Sequence, residues 1–316
     1  MRTISFKRFI VGCLLTVGTQ AHADLISASW QDFQHVRRQG TSTVVLDIDN
    51  DSLLLQKNDG FYTSGARITQ QYALHSGSGG ERLDMVGWRI GHEMYTASDI
   101  KLPPEFIKAS DHPYAAWLYG GMFKEGHQTD GAHWKLGLDL GCLGPCAGGE
   151  WVQTNLHHVL HQPLPQGWST QVRNEVGAVL YAEMAPARWS PLSWLDATPS
   201  LQGRFGNIFT DATLGVTVRG GRLNLLPDAP AMHGFLRVSG RAVAYDATLQ
   251  GGYFSQDNPH TVQPKRLVGE AEMGIVWQQA PYGIRASLVR RGNVIRDWPD
   301  AAGTQNFARL QFLYSL

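Results

Sequence analysis

Phe307-Ala-Arg-Leu-Gln-Phe-Leu-Tyr-Ser-Leu316 ends the chain. Leu310, Phe312, Tyr314 and Leu316 alternate there with Arg309, Gln311, Leu313 and Ser315. A strand with this alternation presents one apolar, aromatic face. It suits the closing strand of a transmembrane β-barrel, although the edge strand of a soluble sandwich alternates in the same way.

The same rhythm recurs upstream. Segments of about ten residues with alternating polarity, separated by turn signals, fall at Thr43–Asn50, Tyr62–Leu74, Leu83–Tyr95, Tyr114–Phe123, His133–Leu143, Gln171–Glu183, Leu192–Phe205, Phe209–Arg219, Phe235–Tyr245, Val268–Gln278, Gly283–Arg291 and Phe307–Leu316. Twelve is an even number, as an up-and-down barrel requires. No segment after the N-terminus reaches the ~20 apolar residues of a membrane-spanning helix. The expectation is an all-β, twelve-stranded antiparallel transmembrane barrel over residues 24–316, without a second domain, internal repeat or low-complexity tract.

Residues 1–23 read as a secretory signal. Arg2, Lys7 and Arg8 form a basic region, Phe9 to Val17 an apolar core, and Ala21-His22-Ala23 a cleavage site. Removing them leaves 24 basic against 27 acidic residues. That balance argues against a nucleic-acid partner. Two cysteines remain, Cys142 and Cys146. In an exported protein they can pair, or serve as two small residues in a strand and a loop.

If the mature chain starts in the periplasm, the connections Asp51–Phe61, Thr96–Pro113 and Gly144–Thr170 face outward. The intervening ones are mostly shorter, which is the asymmetry of outer-membrane barrels. Gly220–Gly234 is too long for a tight turn. Three polar clusters lie on or beside the outward connections. Asn50 and Asp51 bring hard oxygen ligands suited to Ca²⁺. Thr63 faces them across a hairpin. Gln153 and His157 follow a glycine-rich break and stand four residues apart, on one face of a short helix in the third external loop.

Asn50-Asp51, Tyr62-Thr63-Ser-Gly65, Pro113-Tyr-Ala-Ala-Trp-Leu-Tyr119, Leu138-Asp-Leu-Gly-Cys-Leu-Gly-Pro145, Gly148-Gly-Glu-Trp-Val-Gln153, His157 and Gly167-Trp168-Ser-Thr-Gln171 occur in this order. As an ordered set, with Asp246-Ala-Thr-Leu-Gln-Gly251, they resemble the outer-membrane lipid A 3′-O-deacylase family over nearly the whole mature chain. The resemblance implies a barrel with its site near the outer leaflet, the third external loop folded as a helix against the wall. It implies Ca²⁺-dependent removal of the 3′-linked acyloxyacyl group of lipid A in lipopolysaccharide; the chain is expected to be a monomer. By motif match, Asn50, Asp51, Thr63, Gln153 and His157 take the positions of functional residues, with Asp51 and Asn50 on the metal. Lys101 in the second external loop would hold the substrate. One position departs from the pattern: members can carry an acid six residues after the histidine, where this chain has Pro163, and Glu175 is the nearest candidate to replace it.

Taken singly, these residues have ordinary explanations: a solvated turn carboxylate, a capping amide, a strand threonine, one histidine among twelve. A zinc site of His157 and His161 lacks the intervening glutamate of a metalloprotease. No Gly-x-Ser-x-Gly elbow is present, so a general-base mechanism is expected in which His157 activates water. Gln153 or Thr63 would then orient the water or donate to the oxyanion. A phospholipase barrel and a non-catalytic porin or binding barrel are the alternatives.

Overall fold

The computed structural model describes residues 29–51 and 60–316; the expected leader and residues 52–59 lie outside them. Among the described residues, thirteen strands form one antiparallel sheet. They are β1 (Thr41–Asn50), β2 (Phe61–Ser76), β3 (Arg82–Thr96), β4 (Ala115–Gln128), β5 (His133–Leu143), β6 (Glu175–Ala185), β7 (Trp189–Leu192), β8 (Leu195–Gly206), β9 (Phe209–Arg222), β10 (Ala231–Asp246), β11 (Leu267–Gln279), β12 (Tyr282–Arg291) and β13 (Gln305–Ser315).

The C-terminal strand closes the ring as its alternation predicts. β13 pairs with β12 on one side and with β1 on the other, from Thr43 opposite Ser315 to Asn50 opposite Ala308. On the far side β6 pairs directly with β8. The wall is therefore the expected twelve strands, and β7 is a short extra ribbon that pairs only with β8. The expected strand at Gln171–Glu183 starts later, at Glu175, because residues 171–174 still belong to the external loop.

Side-chain alternation sorts the wall into two surfaces. Asp47, Arg67, Arg89, Asp139, Glu272, Arg285 and Arg309 line the lumen, which holds two cavities of about 510 Å³ each. They are tied in ion pairs: Arg67 to Asp47 at 3.1 Å, Arg89 to Asp139 at 2.6 Å, Arg309 to Asp49 at 2.9 Å and Arg285 to Glu272 at 3.0 Å. The opposite face exposes Ile68, Ile90, Leu140, Leu180, Leu214, Val238, Ile275 and Phe312. Such a surface is costly in water and favourable in hydrocarbon. Tyr282 and Tyr314, adjacent rings 5.4 Å apart on that face, stand beside the two-residue turn at 280–281. This is the place of an interfacial aromatic girdle.

Turns 77–81, 129–132 and 280–281 are short, whereas 97–114, 144–174, 247–266 and 292–304 are long. The connections at one mouth pack together, with Val172, Ile208 and Ala247 joining Trp117 and Phe209 in a buried cluster. One external connection is an exception: only residues 207–208 separate β8 from β9. The long segment 220–234 resolves into two strand ends and a turn at 223–230. That turn folds inward, so Leu226 packs on Leu83 and Met85. Arg188 holds the same end by donating to the carbonyls of Thr129, Asn224 and Leu225.

Three helices were not evident in the sequence: α1 (Trp30–Gln39) before β1, and the one-turn helices Ala247–Gln250 and Asp300–Gly303. The fourth, α2 (Gly149–Leu160), is the helix expected in the third external loop.

Candidate active site

The glycine-rich break before α2 is shaped by the disulfide Cys142–Cys146, whose Cα atoms are 6.0 Å apart. It joins the end of β5 to a single 3-10 turn over Pro145–Ala147. Gly148 then adopts φ 70°, the left-handed conformation glycine accepts most readily. Gly149 begins the helix where a Cβ would meet Ala116 Cβ and the Trp168 ring, both at 2.5 Å. Glycine here lets α2 lie directly on the wall.

The wall under α2 is the outer surface. Tyr95 and Trp117 line the lumen, so their neighbours Met94 and Ala116 point outward. Met94 and Ala116 are nonetheless buried, in a cluster with Tyr114, Ala147 and Trp168. Asn50, Ser64, Met94 and Ala116 stand in register across β1 to β4. Asn50 and the start of α2 thus share one level on the outside of the barrel. A bulge between Tyr62 and Ser64 inserts Thr63 as an extra residue. Its hydroxyl lies 2.8 Å from that of Thr96, two residues beyond Met94. Asp51, 5% exposed, accepts from the Gly60 N–H at 3.2 Å.

Gln153 and His157 are the buried polar side chains of α2. Trp168 Nε1 donates to Gln153 Oε1 at 2.8 Å, with Trp168 packed edge-on to Tyr114. An indole can only donate, so this bond fixes the amide: Oε1 faces Trp168 and the NH₂ group points the other way. His161 ends the helix at φ 55° and turns the chain back. His157 Nδ1 then lies 2.6 Å from the Pro163 carbonyl. A carbonyl only accepts, so Nδ1 carries the proton and the neutral ring keeps its base at Nε2.

This answers the question raised by Pro163. Pro163 contributes through its main chain, whose carbonyl accepts from His157 Nδ1. Glu175 does not compensate: it lies on the lumen side of β6 and is engaged by Asn207 Nδ2 at 2.8 Å and by the Phe254 N–H at 3.1 Å. Lys101 sits exposed in the 97–114 connection, its Nζ 3.8 Å from Asp99. Its neighbour Ile100 accepts from the Gln166 N–H at 2.9 Å, which joins that connection to the loop carrying α2.

Thr63 and Thr96 share one hydroxyl–hydroxyl hydrogen bond, and Thr96 Oγ1 also lies 3.3 Å from the Ala97 carbonyl. Thr63 Oγ1 keeps lone-pair capacity as an acceptor. Asp51, Asn50 and Thr63 each carry a hard oxygen of the kind that Ca²⁺ takes. Among the described residues no group of three or more His, Cys, Asp or Glu could hold a metal ion. Thr96 was missed in the sequence because only the bulge and register bring it to Thr63. Trp168 packs in the cluster of Met94 and Ala116, and its indole N–H gives it a second task.

The sequence profile of a family described as outer membrane protein LpxR matches residues 9–316. Among solved structures, LpxR from Salmonella typhimurium aligns with a TM-score of 0.69 at 19% identity, covering 86% of this chain and 99% of that one. The β-domain of the Bordetella autotransporter BrkA aligns with a TM-score of 0.45 at 11% identity, covering 87% and 98%. No curated protein matches.

Proposed function

Because the chain belongs to the LpxR family of outer-membrane proteins, we propose that it is a lipid A deacylase that hydrolyses the 3′-linked acyloxyacyl ester in the outer leaflet. The observation that carries this reading is the His157 bond to the Pro163 carbonyl. A buried imidazole held in one tautomer, on a helix that lies on the outside of a membrane barrel, has a base to offer and a lipid surface to offer it to.

In the proposed reaction His157 Nε2 takes a proton from water as its oxygen attacks the ester carbonyl. The NH₂ of Gln153 donates to the oxyanion. The acyl C–O bond breaks, and the imidazolium returns the proton to the sugar 3′-oxygen, releasing the free acid. Asp51, Asn50 and Thr63 would hold Ca²⁺, which supplies positive charge to the carbonyl oxygen when bound. Lys101 would contact a lipid A phosphate as a charge-assisted donor. The ion-paired lumen and the turn packed across one end favour an enzyme over a porin.

The test is purified protein with lipid A and Ca²⁺ in mixed micelles, read by mass spectrometry. Loss of one acyloxyacyl mass is expected. Fatty acid release from phospholipid vesicles, with lipid A left intact, would assign it as a phospholipase instead.

A further inference from the structure

Helix α1 lies on the outside of the wall. Met85, Arg89, Phe123 and Glu125 line the lumen, so Val86 of β3 and Lys124 of β4 point outward. Both are covered. Val86 is fully buried, and the Lys124 side chain is 12% exposed, with Nζ 3.5 Å from Asp32 of α1. Val36 of α1 is buried in turn. Gly40 ends the helix where a Cβ would meet the carbonyl oxygens of Ala73 and Val36, each at 2.7 Å. A bare lysine on the lipid side of a barrel is costly toward the bilayer midplane, and Asp32 neutralises this one.

The part of α1 not covered by the wall is unlike the surface of a soluble helix. Trp30 is 61% exposed and stacks on Phe33 with centroids 5.2 Å apart. Arg37 and Arg38 are exposed in the last turn. Further along β3, Trp88 and Ile90 are exposed on the same outer face, so α1 continues the lipid-facing surface at its periplasmic end. Aromatic rings beside paired arginines, at the edge of an apolar band, match the chemistry of the lipid interface.

We propose that α1 is an interfacial anchor that binds the phospholipid headgroup layer of the periplasmic leaflet. Trp30 and Phe33 enter the headgroup–acyl boundary, and Arg37 and Arg38 pair with lipid phosphates. The inference does not depend on the catalytic reading, because it requires only the barrel in its membrane.

The mature full-length protein, carrying Trp30→Cys labelled with a polarity-sensitive dye, is reconstituted in phosphatidylethanolamine–phosphatidylglycerol vesicles. The expected result is a blue-shifted emission, quenched by headgroup-proximal nitroxide phospholipid and shielded from aqueous iodide. Arg37→Gln with Arg38→Gln should reduce the preference for nitroxide phosphatidylglycerol over nitroxide phosphatidylcholine, on the order of 30-fold at about fivefold per arginine. A label quenched by iodide but not by lipid overturns the proposal. So does shielding from both that is lost on dilution to one protein per vesicle, which would make a second copy the cover. Because the label replaces Trp30, amide exchange over 30–39 in unlabelled protein provides an independent reading. Protection should be greater in anionic than in zwitterionic vesicles, and equal protection also overturns the proposal.

Discussion

Trp168→Phe keeps the ring and removes a single N–H. That N–H is 2.8 Å from Gln153 Oε1, at a place where Gln153 is 1% and Trp168 2% exposed. A buried acceptor left without its donor costs about 1–3 kcal/mol. The same loss removes the bond that sets which end of the amide faces Trp168. If Gln153 donates to the oxyanion, a penalty of this size lowers kcat on the order of 10–100-fold with KM nearly unchanged. Gln153→Glu is the complementary change. It keeps an acceptor for Trp168 but replaces the donor with a carboxylate, and should lower kcat by about 10²–10³-fold. The assay is initial-rate release of the acyl group from lipid A by mass spectrometry, with urea unfolding in parallel. Wild-type kcat in Trp168→Phe, at unchanged or reduced stability, would reduce Trp168 to a packing residue. Wild-type kcat in Gln153→Glu would remove Gln153 from the oxyanion site.

Other outcomes are as definite. His157→Ala should lower the rate by about 10²-fold or more, and an unchanged rate excludes it as the base. Chelation should abolish activity, and Ca²⁺ should raise the unfolding temperature less in Thr63→Val than in the wild type; an equal rise removes Thr63 from the cation's ligands. His112, in the second external loop, donates from Nδ1 to the Pro113 carbonyl at 2.7 Å, and burial holds its pKa below the usual 6.5. The unfolded chain therefore takes up this proton first. The contribution of His112 is fully present above pH 6.5 and lost as pH falls below it. Urea midpoints that do not decline from pH 7 to pH 5 more steeply in the wild type than in His112→Gln would contradict this.

The wall was legible because each strand carries its own period-two signal. Phe307–Leu316 displayed it most clearly, and the structure uses that strand to close the ring. The Gln153–His157 face was legible for the corresponding reason in a helix. What the sequence withheld is what register decides. The bulge at Thr63 and the partner at Thr96 depend on how β2 meets β3. Glu175 looked available only while its facing was unknown; its place on β6 turns it to the lumen side. For α1, a local sign was present: Ser29 caps the helix through the Asp32 N–H, and Trp30, Phe33 and Val36 recur at helical spacing. Its seat on the outer wall follows only from the burial of Val86 and Lys124.

The outward placement of Met94 and Ala116 beneath α2, with Asn50 at the same level, has a kinetic consequence. A site on the flank of a barrel meets its substrate in two dimensions. Turnover by the proposed deacylase should follow the mole fraction of lipid A in the surface, not its bulk concentration. Diluting lipid A with inert amphiphile at constant total lipid A would then slow the enzyme, whereas adding buffer would not.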